Sequence, residues 1–290
     1  MVEKRAAGLA LLLALALLLG GCGASASPAP TEAPIGTEAP PAVAEPVVSV
    51  SAGGLAVAAQ EGEIYFPSEE QWSYHFVYSY PHLLGEDYVS AAINDTYQMA
   101  LDEMLQLVLP MFANADTMQF DGQNEVSHDF YVTCNNDRLL SIVQNRRQTM
   151  GEEGVTLAIE PLTFDVSGEY QGDTLTLRGC ILAEVGDTPV DEMTVEAYPQ
   201  AAKLIAGSSE SISEAVAQHL YPEFVKLQEA GIARGDVDEE DFLWEFAPAA
   251  NFYVDEEGRV VFFFPPALLA EPSFDVPTFP FTAAELENLL

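Results

Sequence analysis

The first candidates for catalysis or metal binding are the four histidines, His75, His82, His128 and His219. No two of them are four residues apart, the spacing that places two imidazoles on one helix face to hold a metal. His128 and Asp129 are adjacent, so on a strand they point to opposite faces and form a poor dyad. Ser141 lies inside a predicted strand, without the sharp turn that presents a hydrolase nucleophile. We therefore predict no catalytic residue, no metal and no cofactor.

Two other groups of side chains have ligand-binding chemistry. The acidic run Asp236–Asp241 is rich in calcium-type ligands but lacks the glycine and the glutamate of an EF-hand loop, at the sixth and twelfth positions. Acidic residues also favour the first turn of a helix, and a solvated helix start is the preferred interpretation. The second group consists of aromatic residues that form either a sugar-stacking face or, more commonly, the core face of a strand: Trp72, Tyr74, Tyr78 and Tyr80.

The amino terminus has the residue order of an export signal. A charged start, Lys4-Arg5, precedes the apolar run Ala6–Leu19, which is followed by Gly20-Gly21-Cys22. This order predicts a signal peptide over residues 1–21, and the run is shorter than the ~20 apolar residues of a spanning helix. The sequence before Cys22 is similar to the lipobox of bacterial lipoproteins. That similarity implies a lipid on Cys22, which would anchor the protein to the outer face of the cytoplasmic membrane.

Two cysteines remain besides Cys22. Cys134 and Cys180 each end a strand-like run, and they form no C-x-x-C pattern. An even pair in an exported protein permits one disulfide, whereas two buried free thiols fit the pattern equally well. Both alternatives stay open at this point.

Residues 22–61 have six prolines and no lysine or arginine, and they are predicted to form a disordered tether.

The charge of the chain limits the kinds of partner that it can bind. The whole chain has 10 basic and 46 acidic residues. No nucleic-acid partner is therefore predicted, and anionic lipid headgroups are poor partners, because both need a positive surface. The charge favours a basic protein, a cationic peptide or a divalent cation, although solubility alone also explains an acidic surface.

The pattern of apolar residues predicts both strands and helices. Strands are predicted at 73–80, where Pro81 ends the run, and then at 130–134, 139–143, 155–160, 163–166, 174–178, 251–254, 260–264 and 274–281. Long helices are predicted over 86–109 and from Ser211, with a bend at Pro222, and a short helix follows Thr282. This order is typical of an α+β fold, in which antiparallel sheets carry a long helix in each of two modules.

Several short motifs resemble a known pair of extracytoplasmic modules. The strand, the turn Tyr80-Pro81-His82-Leu83 and a helix with Ile93-Asn94 resemble the PdaC-like domain of unknown function, DUF4163. The segments Asn251–Gly258 and Val261–Pro265 resemble the signature of its companion, DUF3298. The resemblance covers about residues 63–290. It places the PdaC-like module at 62–150 and the DUF3298-like module at 151–290.

The resemblance implies a binding or sensing role rather than an enzyme. The same pair of modules forms the sensor of a lysozyme-responsive anti-sigma factor, and the first module precedes the catalytic domain of a peptidoglycan deacetylase. The expected ligand is an envelope-directed basic protein such as lysozyme, or peptidoglycan itself. The alternative is an accessory subunit of a wall-modifying enzyme. This sequence departs from the family pattern at residues 150–154, which lack the usual histidine, and at Pro266, where the family has tyrosine.

Overall fold

Alternating side chains form five strands between residues 57 and 165, and the computed structural model joins them in one sheet. The strands are β1 (Val57–Phe66), β2 (Tyr74–Leu83), β3 (Asn124–Asn135), β4 (Leu139–Met150) and β5 (Val155–Asp165). Their order in the sheet follows the chain. Neighbours are antiparallel except β2 and β3, which are parallel.

The structure describes residues 54–66, 68–108, 123–150, 154–168, 170–186 and 188–290. The predicted signal peptide, Cys22 and the tether up to residue 53 lie outside these ranges. The predicted tether extends too far, because residues 57–61 belong to β1 and pair with β2. Residues 57–61 are small or polar and have no clear alternation, and the aromatic and branched residues of this strand come only at its end, at Ile64, Tyr65 and Phe66.

Helix α1 (Tyr88–Glu103, continuing as a π-helical turn over Met104–Val108) follows β2 and packs on one face of the sheet. Asp87 caps its first turn by accepting a hydrogen bond from the Ser90 amide. Asn94 fixes the helix to the end of β2, since its side chain accepts from the Leu83 N–H at 2.7 Å and donates to the Leu83 carbonyl at 2.9 Å. The predicted helix and its Ile93-Asn94 motif therefore have a structural role.

The prediction that Pro81 ends the second strand is wrong. β2 continues to Leu83, and Pro81 pairs with Ala59 of β1. Pairing of β2 with β3 stops at Tyr78, so Pro81 lies where the strand has a neighbour on one side only. A missing N–H is tolerated at such an edge position.

The second half of the chain begins with helices. They are α2 (Leu177–Val185), α3 (Ala202–Ala206), α4 (Ser209–Glu229) and α5 (Glu239–Glu245). The strand predicted at 174–178 is wrong, because Thr176 caps α2, and threonine is favoured at helix N-caps as well as in strands. The capping box of α4 uses Ser208 and Ser211, three residues before the predicted start, and Pro222 lies inside a continuous helix. Within the described ranges, no helix is both long and apolar enough to cross a membrane.

A small antiparallel sheet closes the fold. It consists of β6 (Phe252–Val254), β7 (Val260–Phe263) and β8 (Thr278–Phe281), followed by helix α6 (Ala283–Leu289). Phenylalanine rings from α4, α5 and the end of β7 pack at centroid distances of 4.7–5.6 Å: Phe224, Phe242, Phe246 and Phe264. The predicted hairpin and the capping box at Thr282 are confirmed.

The two sheets are joined by a buried hydrogen bond. The Ser141 hydroxyl of β4 accepts from the Val254 N–H of β6 at 3.1 Å, and its oxygen lies 2.9 Å from the Thr163 hydroxyl of β5. All described residues fall into one compact unit. The boundary predicted at 150/151 divides the large sheet, because β5 pairs with β4 along its whole length. The α+β fold class is confirmed, with one parallel pair in a sheet predicted to be antiparallel.

Candidate functional site

The five-stranded sheet has one face covered by α1 and a second face that is only partly covered. On the second face, β6 packs near Ser141, at one end of β4. Toward the other end, the same face carries half-buried or exposed side chains from all five strands. We call this uncovered part the open face, and its residues include Tyr65, His75, Val77, Glu125, Asp129, Arg147 and Leu157.

An aromatic and acidic cluster lies at the edge of the open face. The strand register places Tyr65 of β1 beside His75 of β2, and Glu125 of β3 on the other side. The Tyr65 and His75 rings are stacked, with centroids 4.1 Å apart and planes 5° apart. Trp72 completes the cluster, with its centroid 5.4 Å from that of His75. The sequence pattern thus brings three rings together at one sheet edge.

Two carboxylates flank the histidine. Glu125 Oε2 lies 3.4 Å from His75 Nδ1, and Glu63 Oε2 lies 3.5 Å from His75 Nε2. The His75 side chain is only 12% exposed, whereas the Glu63 and Glu125 side chains are 56% and 46% exposed. Tyr65 donates its hydroxyl hydrogen to Glu63 at 3.2 Å. The cluster therefore presents rings and solvent-accessible carboxylate oxygens together, which suits a cationic group.

His128, the other candidate for proton transfer, is not part of this cluster. It lies on the opposite face of the sheet, where its Nδ1 is 2.7 Å from the Tyr80 hydroxyl oxygen. Burial, helped by the nearby Arg146 charge, lowers the pKa of His128 to about 3, so the ring is neutral at pH 7. Asp129 faces the open side instead, as predicted, and hydrogen-bonds Asn145. The two residues form no catalytic dyad.

The remaining candidates have structural positions. Tyr74, Tyr78 and Tyr80 belong to the core, which confirms that interpretation for three of the four aromatic residues, whereas Trp72 is only half-buried. Asp238 caps α5 by accepting from the Asp241 amide, which confirms the helix-start interpretation of the acidic run. Among the described residues, no three His, Cys, Asp or Glu side chains converge as a metal site requires.

Cys134, near the end of β3, and Cys180, in α2, are both buried, free thiols of the same core cluster. Of the two alternatives left open by the sequence, the structure therefore has the thiols and not the bridge. Burial raises the pKa of each thiol to about 12. Neither sulfur is a nucleophile at neutral pH, because the thiolate is the reactive form.

A cleft separates β1 and β2 from α1. It has a volume of about 430 Å³, within the usual range of ligand pockets. Ala58, Pro81 and Tyr97 supply apolar walls, while Gln60, Asp95 and Gln98 supply polar groups. The Tyr97 hydroxyl is buried and has no hydrogen-bond partner among the described residues. The cleft is a second candidate site.

The sequence did not predict the cluster around His75. Strand alternation places His75 on the face opposite the core tyrosines, but no strand was predicted over residues 57–66, so its partners on β1, Glu63 and Tyr65, were not visible. The contact between His75 and Glu125 was not predicted either, because it depends on the register of β2 on β3, two parallel strands that a long segment of chain connects. The available signal was the aromatic and acidic composition of residues 63–75.

Comparison with known proteins gives a limited result. No family model matches the sequence, and no curated protein matches it. A solved member of the DUF3298 family from Bacteroides fragilis is 13% identical, with a TM-score of 0.46 over 81% of this chain and 98% of that one. A DUF3298 family protein from Pseudomonas aeruginosa is 14% identical, with a TM-score of 0.44 over 80% of this chain and 92% of that one. Similarities at this level assign neither a family nor a function to the chain.

Proposed function

We propose that this protein is an extracytoplasmic binding module that captures a basic, envelope-directed protein, with its amino terminus held at the membrane by a lipid on Cys22. The observation that carries the proposal is the cluster at the edge of the open face, where exposed carboxylates of Glu63 and Glu125 flank the rings of Tyr65, His75 and Trp72. Catalysis has no support in the arrangement of the histidines and serines described above.

The distribution of charge supports a cationic partner. Most basic side chains of the folded part are occupied within the fold: Arg178 donates to the Leu204 and Ile205 carbonyls, and Arg138 donates to the Gly186 carbonyl at 2.7 Å. Arg146, Arg234 and Arg259 each lie within 3.5 Å of a carboxylate. The carboxylates outnumber these cations severalfold, so the surface field is negative and speeds the approach of a basic protein.

The aromatic residues add short-range specificity. A lysine or arginine that reaches Glu63 or Glu125 passes the faces and edges of Tyr65 and Trp72, where a cation–π contact contributes about 0.5–1 kcal/mol. Tryptophan and tyrosine are also the side chains most enriched among interface hot spots. The motif resemblance to a lysozyme sensor makes lysozyme the first partner to test.

The test measures binding of the purified full-length protein to a basic lysozyme at ~0.15 M salt, where the Debye length is about 8 Å. An unrelated basic protein of similar pI serves as the control partner. We expect selective binding of lysozyme, and we expect Trp72→Ala to weaken it several-fold. Equal binding of the two basic proteins, or none, contradicts the lysozyme assignment.

The cleft between β1, β2 and α1 favours a second candidate, a neutral wall glycan. Its polar rim of Gln60, Asp95 and Gln98 offers amide and carboxylate partners for sugar hydroxyls, over apolar walls. Calorimetric titration with soluble peptidoglycan fragments tests this candidate. Saturable heat that Gln60→Ala removes supports it, and the absence of heat contradicts it. An accessory role beside a wall-modifying enzyme stays a prediction.

A further inference from the structure

Trp244 is the most exposed large apolar side chain of the described residues, with 87% of its surface accessible to solvent. It lies near the end of α5, a helix held to the core by Phe242, which is fully buried like the following Phe246. Leu243 beside it is 41% exposed. Tryptophan side chains are highly buried on average, because burial of the indole ring gives one of the largest favourable free energies of any side chain.

Two carboxylate side chains lie on the same side of the helix as this ring. Glu240 and Asp241 precede Trp244 by four and three residues, so they lie on the same side of the helix, one turn earlier. The four side chains line a shallow depression of about 300 Å³. We call Glu240, Asp241, Leu243 and Trp244 the Trp244 patch.

The cation closest in sequence to the patch is occupied elsewhere. Arg234 forms a bidentate salt bridge with Asp236, with hydrogen bonds of 2.9 and 3.1 Å, and donates a third hydrogen bond to the Ala267 carbonyl at 3.2 Å. Its other acidic neighbours are Glu245, at 3.5 Å, and Asp241, which interacts with it more weakly and forms no salt bridge with it. The carboxylates of Glu240 and Asp241 are exposed, and no salt bridge to either is found in the described part of the chain.

We propose that the Trp244 patch is a second contact surface for a basic protein, in which a lysine or arginine of the partner stacks on the indole and its charge reaches Glu240 or Asp241. An anionic or purely apolar partner does not fit, because the carboxylates flank the ring and would be desolvated without compensation. A cationic side chain placed over the indole face and beside a carboxylate is stabilised by a cation–π contact and by a charge-assisted hydrogen bond. The partner class rests on the proposed function, whereas the location is independent of the open face.

The composition of the chain makes the location measurable. There are two tryptophans, Trp72 and Trp244. In the full-length Trp72→Phe variant, fluorescence therefore reports Trp244 alone, and in Trp244→Phe it reports Trp72. Each variant is titrated at ~0.15 M salt with a basic lysozyme whose own tryptophans are replaced by a non-fluorescent tryptophan analogue, so that the emission comes from the variant alone, and a soluble quencher probes exposure.

We expect lysozyme to shift the Trp244 emission to shorter wavelength and to protect it from the quencher. Trp244→Ala is expected to weaken binding about three- to tenfold, corresponding to the cation–π contribution of roughly 0.5–1.4 kcal/mol. Trp244→Phe is expected to restore part of the loss. Tyr88→Ala, at an aromatic side chain that is 73% exposed on α1, is the matched control and should leave the affinity unchanged.

The outcomes separate the two proposals. Binding of lysozyme by Trp72→Phe at saturating concentration, with unchanged Trp244 emission and quenching, overturns the patch but leaves the proposed function intact. Absence of wild-type binding overturns both. An equal loss in Trp244→Ala and Tyr88→Ala also overturns the patch, because it indicates a general effect of removing exposed aromatic surface.

Discussion

His128 makes the stability of this protein depend on pH in a predictable way. Its ring lies in the sheet core, against Tyr80 and near Arg146, which itself pairs with Glu160. Burial lowers the pKa of the folded histidine to about 3, while the unfolded histidine keeps a pKa near 6.5. Between these values the unfolded chain binds more protons, so the free energy of unfolding falls as the pH falls.

The size of the effect follows from the two pKa values. At about pH 4 the unfolded histidine is almost fully protonated and the folded one is mostly neutral, so acidification from neutral pH costs about 3 kcal/mol through this residue. His128→Gln removes the titration and should remove that part of the pH dependence. The quantity to compare is the difference in free energy of unfolding between the wild type and His128→Gln, because the contribution of the many carboxylates is common to both proteins and cancels.

The assay is urea unfolding of the wild type and His128→Gln between about pH 7 and pH 4, followed by circular dichroism. His82→Gln is the matched control, since His82 is exposed in the folded protein as in the unfolded chain. We expect the stability difference between His128→Gln and the wild type to move in favour of the variant on acidification. A constant difference across this range would refute the assignment of His128 as a buried neutral ring.

Two further predictions concern the core. Ser141→Ala leaves the Val254 amide without its partner and removes one hydrogen bond of the Thr163 hydroxyl, which also contacts Cys180, so it should lower the free energy of unfolding by about 1–3 kcal/mol. Ser167→Ala on the surface should change this free energy little, and equal effects in urea unfolding would contradict the link between the sheets. In a Cys22→Ser variant, a thiol reagent at neutral pH should leave Cys134 and Cys180 unlabelled until the protein is unfolded. Two thiols should then react without added reductant, and finding none would show a disulfide instead.

Local sequence rules identified much of this fold. The long helix after β2, the hairpin of β3 and β4 and the terminal helix capped by Thr282 all follow from periodicity and capping, which act over a few residues. The segment 174–178 is Thr-Leu-Thr-Leu-Arg, and this alternation predicts a strand. Thr176 caps a buried helix instead, because threonine is favoured both in strands and at helix N-caps.

The candidate site depended on information that local rules do not contain. His75 meets Tyr65 through the register of β1 on β2, and meets Glu125 through a parallel pairing across roughly fifty residues of chain. Register is set by the whole sheet and its core, so no pattern within either strand specifies it. Trp244 was equally hidden, since exposure depends on which side of α5 faces the phenylalanine core.

The account makes the carboxylates beside His75 the centre of binding, and matched charge variants test this most directly. Glu63→Gln with Glu125→Gln removes two charges from the open face, whereas Glu196→Gln with Glu229→Gln removes two exposed charges elsewhere, so the two proteins have the same net charge. Their affinities for a basic lysozyme are compared at ~0.15 M salt. We predict a loss of at least several-fold for the open-face pair and little change for the control pair. Equal losses would show that only the total charge matters, and would contradict a binding site at this cluster.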